Sequence, residues 1–190
     1  MSARRIRVLA GGCAALCAVQ APIVVAAQYL SVEQAQRAIF PEALRFEPLT
    51  LRLTATQRQS LAQLAGAQPP RGRLQVWRVF GAGGALGYFF SDEVVGKEDF
   101  IDYALGIDDD GTLRAPEVMV YRESHGGEIR NANWLRQFAQ RRASSPKLQA
   151  GIDIKNIAGA TLSCEHLTAG IRYLAALWQV ALQASAQVAS

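Results

Sequence analysis

The chain reads as a small α+β domain, an antiparallel sheet with helices packed on it. Three observations predict this. Helix-start signals open the first third, apolar residues alternate with polar ones through the middle, and the last thirty residues carry an apolar stripe at helical spacing. Half of the 190 residues are hydrophobic, enough for one core.

Ser31-Val32-Glu33-Gln34 has the form of an N-cap with its reciprocal partner three residues on, and predicts a helix to about Ile39, stopped at Pro41. Thr54-Ala55-Thr56-Gln57 repeats the signal, with Leu61 and Leu64 as the apolar edge of a second helix. Pro69-Pro70-Arg71-Gly72 is a break. Leu74, Val76 and Phe80 then alternate with polar residues up to Gly81-Ala82-Gly83-Gly84, and the pattern resumes from Leu86 to Phe90. Phe100 to Ile107, an Asp108-Asp109-Asp110-Gly111 turn, and Leu113 to Tyr121 predict a hairpin, because Asp-Gly supports the tight turn. Three adjacent aspartates raise the question of calcium, but the later ligands of an EF-hand loop do not follow, so the turn reading stands. Asn131 to Arg142 predicts a helix with Trp134, Leu135 and Phe138 on one face. A polar loop from Ala143 to Gln149 leads to a short segment and a final helix, whose Leu167, Ile171, Leu174 and Trp178 share one side.

Charge is unevenly placed. The net charge is +4, yet three of the 20 basic residues are Arg4, Arg5 and Arg7, in a stretch 1–27 without Asp or Glu. Seventeen basic residues against 16 acidic ones remain, too balanced a body for nucleic-acid binding. Those arginines precede an apolar run from Val8 that ends Val24-Val25-Ala26-Ala27, the pattern of a secretory signal peptide cleaved after Ala27. A run of about twenty such residues is also long enough to remain as a membrane anchor. The expectation is a periplasmic or otherwise extracytoplasmic protein, tethered to the inner membrane if residues 1–27 stay attached. Cleavage would remove Cys13 and Cys17, leaving Cys164 alone, so neither an intrachain disulfide nor a cysteine metal site is expected. His125 and His166, with no ligand-spaced partners, point to neither a metal site nor a nucleophile pair.

The chemistry is concentrated at Asn156-Ile157-Ala158-Gly159-Ala160-Thr161-Leu162-Ser163. Small residues around Gly159 let backbone approach a ligand. They run into the start of the last helix, where unpaired N–H groups and the helix dipole favour a phosphate. A threonine there can cap the helix, bond a phosphate, or be esterified by one.

The Ala158-Gly159-Ala160-Thr161 core resembles the flavinylation motif of the FMN-binding domain family, which includes the flavin-bearing subunits of sodium-pumping quinone reductases and Rnf-type complexes. Tyr121-Arg122-Glu123-Ser124-His125-Gly126-Gly127-Glu128-Ile129, followed by Trp134 and Gln137-Phe138, resembles that family's Glu-Thr-Pro-Gly segment and tryptophan helix. With the Asp-Gly hairpin, the similarity spans roughly residues 74–182. The chain departs from the family at Lys155, where Asp is usual, at Ala158, where Ser or Thr is usual, and at His125 in place of Pro.

The resemblance implies one FMN-binding domain over 28–190, with FMN held by a phosphoester on Thr161. Ala158, Gly159, Ala160, Leu162 and Ser163 would surround the phosphate, and Glu123, His125, Gly126 and Gly127 would lie along the isoalloxazine. It implies a flavin transferase to install the cofactor and a membrane-bound reductase or other redox partner. The expected role is an exported electron-transfer component with no catalytic side chain of its own. Two other readings stay open: a small reductase holding FMN reversibly, and a flavin-free periplasmic interaction domain.

Overall fold

Ser31 and Thr54 open the first two helices by satisfying the same orphan donors in the same way. In the computed structural model, which describes residues 27–28, 30–66, 73–122, 127–144 and 148–184, the Ser31 hydroxyl accepts from the Gln34 N–H at 3.2 Å. The Gln34 side chain accepts in return from the Ser31 N–H at 2.7 Å. Thr54 and Gln57 repeat the exchange at 3.2 and 3.0 Å. The signal-like residues 1–26 and the Pro69–Gly72 break lie outside the described residues.

In chain order the elements are β1 (Ala27–Gln28), α1 (Val32–Ile39), β2 (Arg45–Leu49), α2 (Ala55–Ala65), β3 (Gln75–Gly81), β4 (Gly84–Val95), β5 (Phe100–Asp108), β6 (Glu117–Tyr121), a 3-10 turn (Gly127–Arg130), α3 (Ala132–Leu135) and α4 (Thr161–Leu177). A π-helical turn, Trp178–Leu182, continues α4. The strands form one sheet in the order β1-β6-β5-β4-β3-β2, antiparallel at every pairing. The expected α+β class holds. Side-chain alternation divides the core in two. Tyr88, Phe90, Tyr103 and Leu105 face α2 and α4, while Phe89, Ala104 and Met119 face α1. An irregularity between Asp102 and Tyr103 pairs these with Val120 and Val118, so Met119 is the extra residue of a bulge and turns to the α1 side.

The Asp108–Gly111 turn forms as expected. The Gly111 N–H donates to the Asp108 carbonyl at 2.8 Å, with Gly111 at φ +84°. A Cβ there would also stand 2.8 Å from the Trp178 ring, so only glycine suits the position. Each aspartate meets its own arginine: Asp108 with Arg114 at 2.7 Å, Asp109 with Arg78, and Asp110 with Arg142 at 2.8 Å.

Four expectations need correction. The helix foreseen from Asn131 to Arg142 ends at Leu135 as regular α-helix. Its remainder is drawn away by Leu113, which accepts from the Gln140 N–H at 2.9 Å and donates to the Arg141 carbonyl at 2.7 Å. The run from Leu113 to Tyr121 is strand only from Glu117, because Leu113 bridges Ile107 alone and Pro116 has no N–H to offer. Leu64 is exposed, and Ala65 is buried beside Leu61. Strands β1 and β2 were not foreseen. Both are sheet edges, and β2 buries little beyond Phe46, which meets the Phe89 ring edge-on at 6.1 Å. The final-helix stripe is as expected, with Leu167, Ile171, Leu174 and Trp178 all buried.

Candidate functional site

The segment ahead of α4 is held by contacts remote in sequence. The Trp134 indole N–H donates to the Lys155 carbonyl at 2.6 Å, and the Gln137 side-chain oxygen accepts from the Lys155 N–H at 2.8 Å. Further along, the Ile157 N–H reaches the Cys164 sulfur at 3.5 Å, and the Ala160 N–H bonds the Ile157 carbonyl at 3.1 Å. Cys164 is therefore a buried structural thiol, its pKa pushed up by burial. Ala158 and Gly159 form the exposed tip of this turn. Gly159 sits at φ +84° with no atom within 4 Å of where a Cβ would stand. Glycine is required there by backbone conformation rather than by crowding.

The helix start that follows has no side-chain cap. Its N-cap residue is Ala160, which carries no oxygen to offer. The first N–H groups of a helix have no partner within the helix, and the dipole adds positive potential at the same point. Thr161 occupies the first helical position with its side chain exposed, and Leu162 beside it is exposed as well. Ala160 and Ser163 turn inward and are buried. Of the expected phosphate residues, Ala158, Gly159, Thr161 and Leu162 thus face outward and two face the core.

A cleft of about 530 Å³ opens beside this turn, lined by Glu128, Asn131, Trp134, Gln137, Lys155 and Ile157. This is ample for a ring system, since ligand pockets run from about 300 to 1,000 Å³. Two walls come from the 3-10 turn and α3, the third from the segment that leads to Thr161. Asn131, Asn133 and Glu128 were not singled out from sequence; the signal available was a polar face next to Trp134. The Trp134 ring is buried and meets Phe138 edge-on at 5.3 Å, so its body belongs to the core while its indole N–H fixes the cleft wall.

Other expected residues are distributed unevenly. Gly127 begins the 3-10 turn next to cleft-lining Glu128, with open space where a Cβ would stand. Glu123, His125 and Gly126 lie outside the described residues. His166 approaches the Val95 and Gly96 carbonyls, and Arg172 donates to the Ala65 carbonyl at 2.8 Å and the Leu148 carbonyl at 3.3 Å. Both side chains are structural ties. Among the described residues, no group of three or more His, Cys, Asp or Glu is placed to hold a metal.

The donor set fits a flavin phosphate: uncapped N–H groups, an outward hydroxyl, a backbone tip without side chains, and a cleft alongside. A search of curated proteins found no match to the chain. Residues 96–176 match the family model for the FMN-binding domain. The matched stretch begins at the β4–β5 turn and ends within α4, and so contains the Gly-Ala-Thr turn, Thr161 and every residue named in the cleft. This match over residues 96–176 supports an FMN-binding domain in the chain, and with it a flavin-binding protein.

Proposed function

We propose that the protein is an exported electron-transfer flavoprotein that carries FMN through a phosphoester on Thr161. One observation carries this reading: an exposed threonine hydroxyl at the first position of an uncapped helix, beside an open cleft, inside the matched domain. A flavin transferase would present FAD to that hydroxyl. The Thr161 oxygen would bond the FMN phosphorus as the pyrophosphate bond breaks, with AMP as the leaving group and the hydroxyl proton passing to the transferase. The resulting diester keeps one negative charge. First-turn N–H groups and the dipole of α4 would stabilise it, and the exposed Lys155 stands on the segment that leads to this turn.

Bound flavin supplies one- and two-electron redox chemistry, and the protein tunes it by hydrogen bonding and burial. Asn131 and Glu128 are polar groups lining the cleft for that tuning, while the Gln137 side chain is bound to the Lys155 backbone. A covalent link suits a carrier outside the cytoplasm, where a dissociated cofactor is lost by dilution. The Arg4, Arg5, Arg7 and apolar-run pattern supports export. A membrane-bound reductase or another redox protein would be the electron partner.

The test is co-expression of the exported protein with a flavin transferase, followed by intact mass measurement of the parent chain and of Thr161→Val. A gain of one FMN less water in the parent, absent from the variant, is expected. Colour released on denaturation would replace the covalent reading with a reductase that holds FMN reversibly. Colourless protein would leave a flavin-free interaction domain.

A further inference from the structure

Three apolar side chains lie exposed at one end of the sheet: Val95 at 51 %, Phe100 at 40 % and Leu162 at 46 %. Val95 pairs with Phe100 across the β4–β5 turn. His166 ties α4 to this turn through the Val95 and Gly96 carbonyls. Leu162 lies one helical turn ahead of His166 on the same side of α4, so it overhangs the turn. Core packing does not use these three residues, and the cleft beside Thr161 does not include them.

The chain enters the fold at the same end. Ala27 of β1 pairs with Tyr121, and Tyr121 pairs with Ile101, the neighbour of Phe100. Two strand spacings separate Ala27 from that position, about 10 Å. Before Ala27 come the apolar residues from Val8 onward and, ahead of them, Arg4, Arg5 and Arg7. About twenty apolar residues span a hydrocarbon core, and arginines on the near side of such a segment hold it with its start in the cytoplasm. Among the described residues no helix is long and apolar enough to cross a membrane.

We propose that the end of the domain bearing Val95, Phe100 and Leu162 rests on a lipid bilayer in which the chain's own residues 8–26 remain embedded. The anchor emerges beside these side chains and holds them, together with the exposed Lys97 and Glu98 of the turn between Val95 and Phe100, at the membrane surface. Short apolar side chains at the domain end enter the headgroup boundary, where burial rather than charge holds them. Thr161 adjoins Leu162, so the phosphoester site lies at the same end of the domain. That last consequence rests on the flavin reading of Thr161; the docking surface does not.

The test uses the full chain in phosphatidylcholine–phosphatidylglycerol vesicles containing a doxyl-labelled quencher lipid. The background carries Cys13→Ala, Cys17→Ala and Thr161→Val, which removes any flavin quenching and leaves the fully buried Cys164 as the one native thiol. A bimane label is placed at Leu162→Cys, at Val95→Cys, or at Leu44→Cys, a 75 % exposed residue just ahead of β2 at the opposite end of the sheet. Several-fold stronger quenching at 162 and 95 than at 44 is expected. Equal quenching at all three positions overturns the proposal, as does recovery of the chain in the soluble fraction beginning at Gln28. Adduct formation on Thr161 is read separately by mass in the parent chain, so either reading can fail without the other.

Discussion

The starts of α1 and α2 are closed, and the start of α4 is open. Ser31 with Gln34, and Thr54 with Gln57, satisfy their own helix donors through reciprocal side-chain bonds. α4, at 17 residues the longest helix described, begins on Ala160 with no side-chain cap. A cap contributes about 1 kcal/mol, and α4 is held instead by a face of fully buried side chains that α1 and α2 lack in that number. Short amphipathic helices need their ends secured. A long helix seated in the core can leave its positive end for a ligand.

The largest effect should come from removing that seat. Leu174→Ala deletes a fully buried side chain of α4 and is expected to cost about 4 kcal/mol in denaturant unfolding. A loss near 1 kcal/mol would mean that the helix is secured elsewhere, and the contrast with α1 and α2 would fail.

The next effect depends on pH. Beneath the middle of α4, where a Cβ on Gly170 would stand 2.6 Å from the Tyr103 hydroxyl, that hydroxyl donates to the Asp92 carboxyl at 3.3 Å. The second Asp92 oxygen is buried without a partner, and burial pushes the carboxyl up to about 7 from an ordinary 3.8. The folded protein therefore keeps a proton that the unfolded chain gives up, so stability falls as pH rises from about 4 to 7 and levels off above. Asp92→Asn cannot ionise and is expected to gain roughly 3 kcal/mol over the parent at pH 8 and nothing at pH 4. A flat difference across pH would show that the seat of α4 holds no such proton.

Two glycines sharpen the comparison further. Gly159 ahead of α4 and Gly66 behind α2 both have positive φ and open space around them. Alanine at either should cost about 1–2 kcal/mol through backbone strain. Only Gly159→Ala should also lower flavin incorporation, measured by mass; equal loading in both variants would detach the Gly-Ala-Thr turn from cofactor binding. Smallest is the cap itself. Ser31→Ala should lose about 1 kcal/mol of stability with flavin loading unchanged.

Much of this was legible in the chain because it follows from near neighbours. Ser31 finds Gln34 three residues away, Gly111 closes a turn on Asp108, and Leu167, Ile171, Leu174 and Trp178 line up by helical period alone. Thr161 was legible for the same reason, as the residue where a small-residue turn meets a helix. The helix over 131–142 was misjudged because Leu113, far upstream, claims the backbone of Gln140 and Arg141. Strand β2 escaped because an edge strand with Pro48 and one half-buried phenylalanine carries little alternation.

The sequence by itself determined the helix starts, the Asp-Gly turn, the buried stripe of α4 and the place of Thr161, since each depends on residues within about four positions of one another. Only the tertiary structure decided the cleft, which needs Trp134 and Gln137 to close on Lys155. It alone brought Ala27, Phe100 and Leu162 to one end of the sheet. The physical reason is range. Backbone sterics and capping act between neighbours, whereas burial and sheet pairing join whichever distant segments can exclude water together.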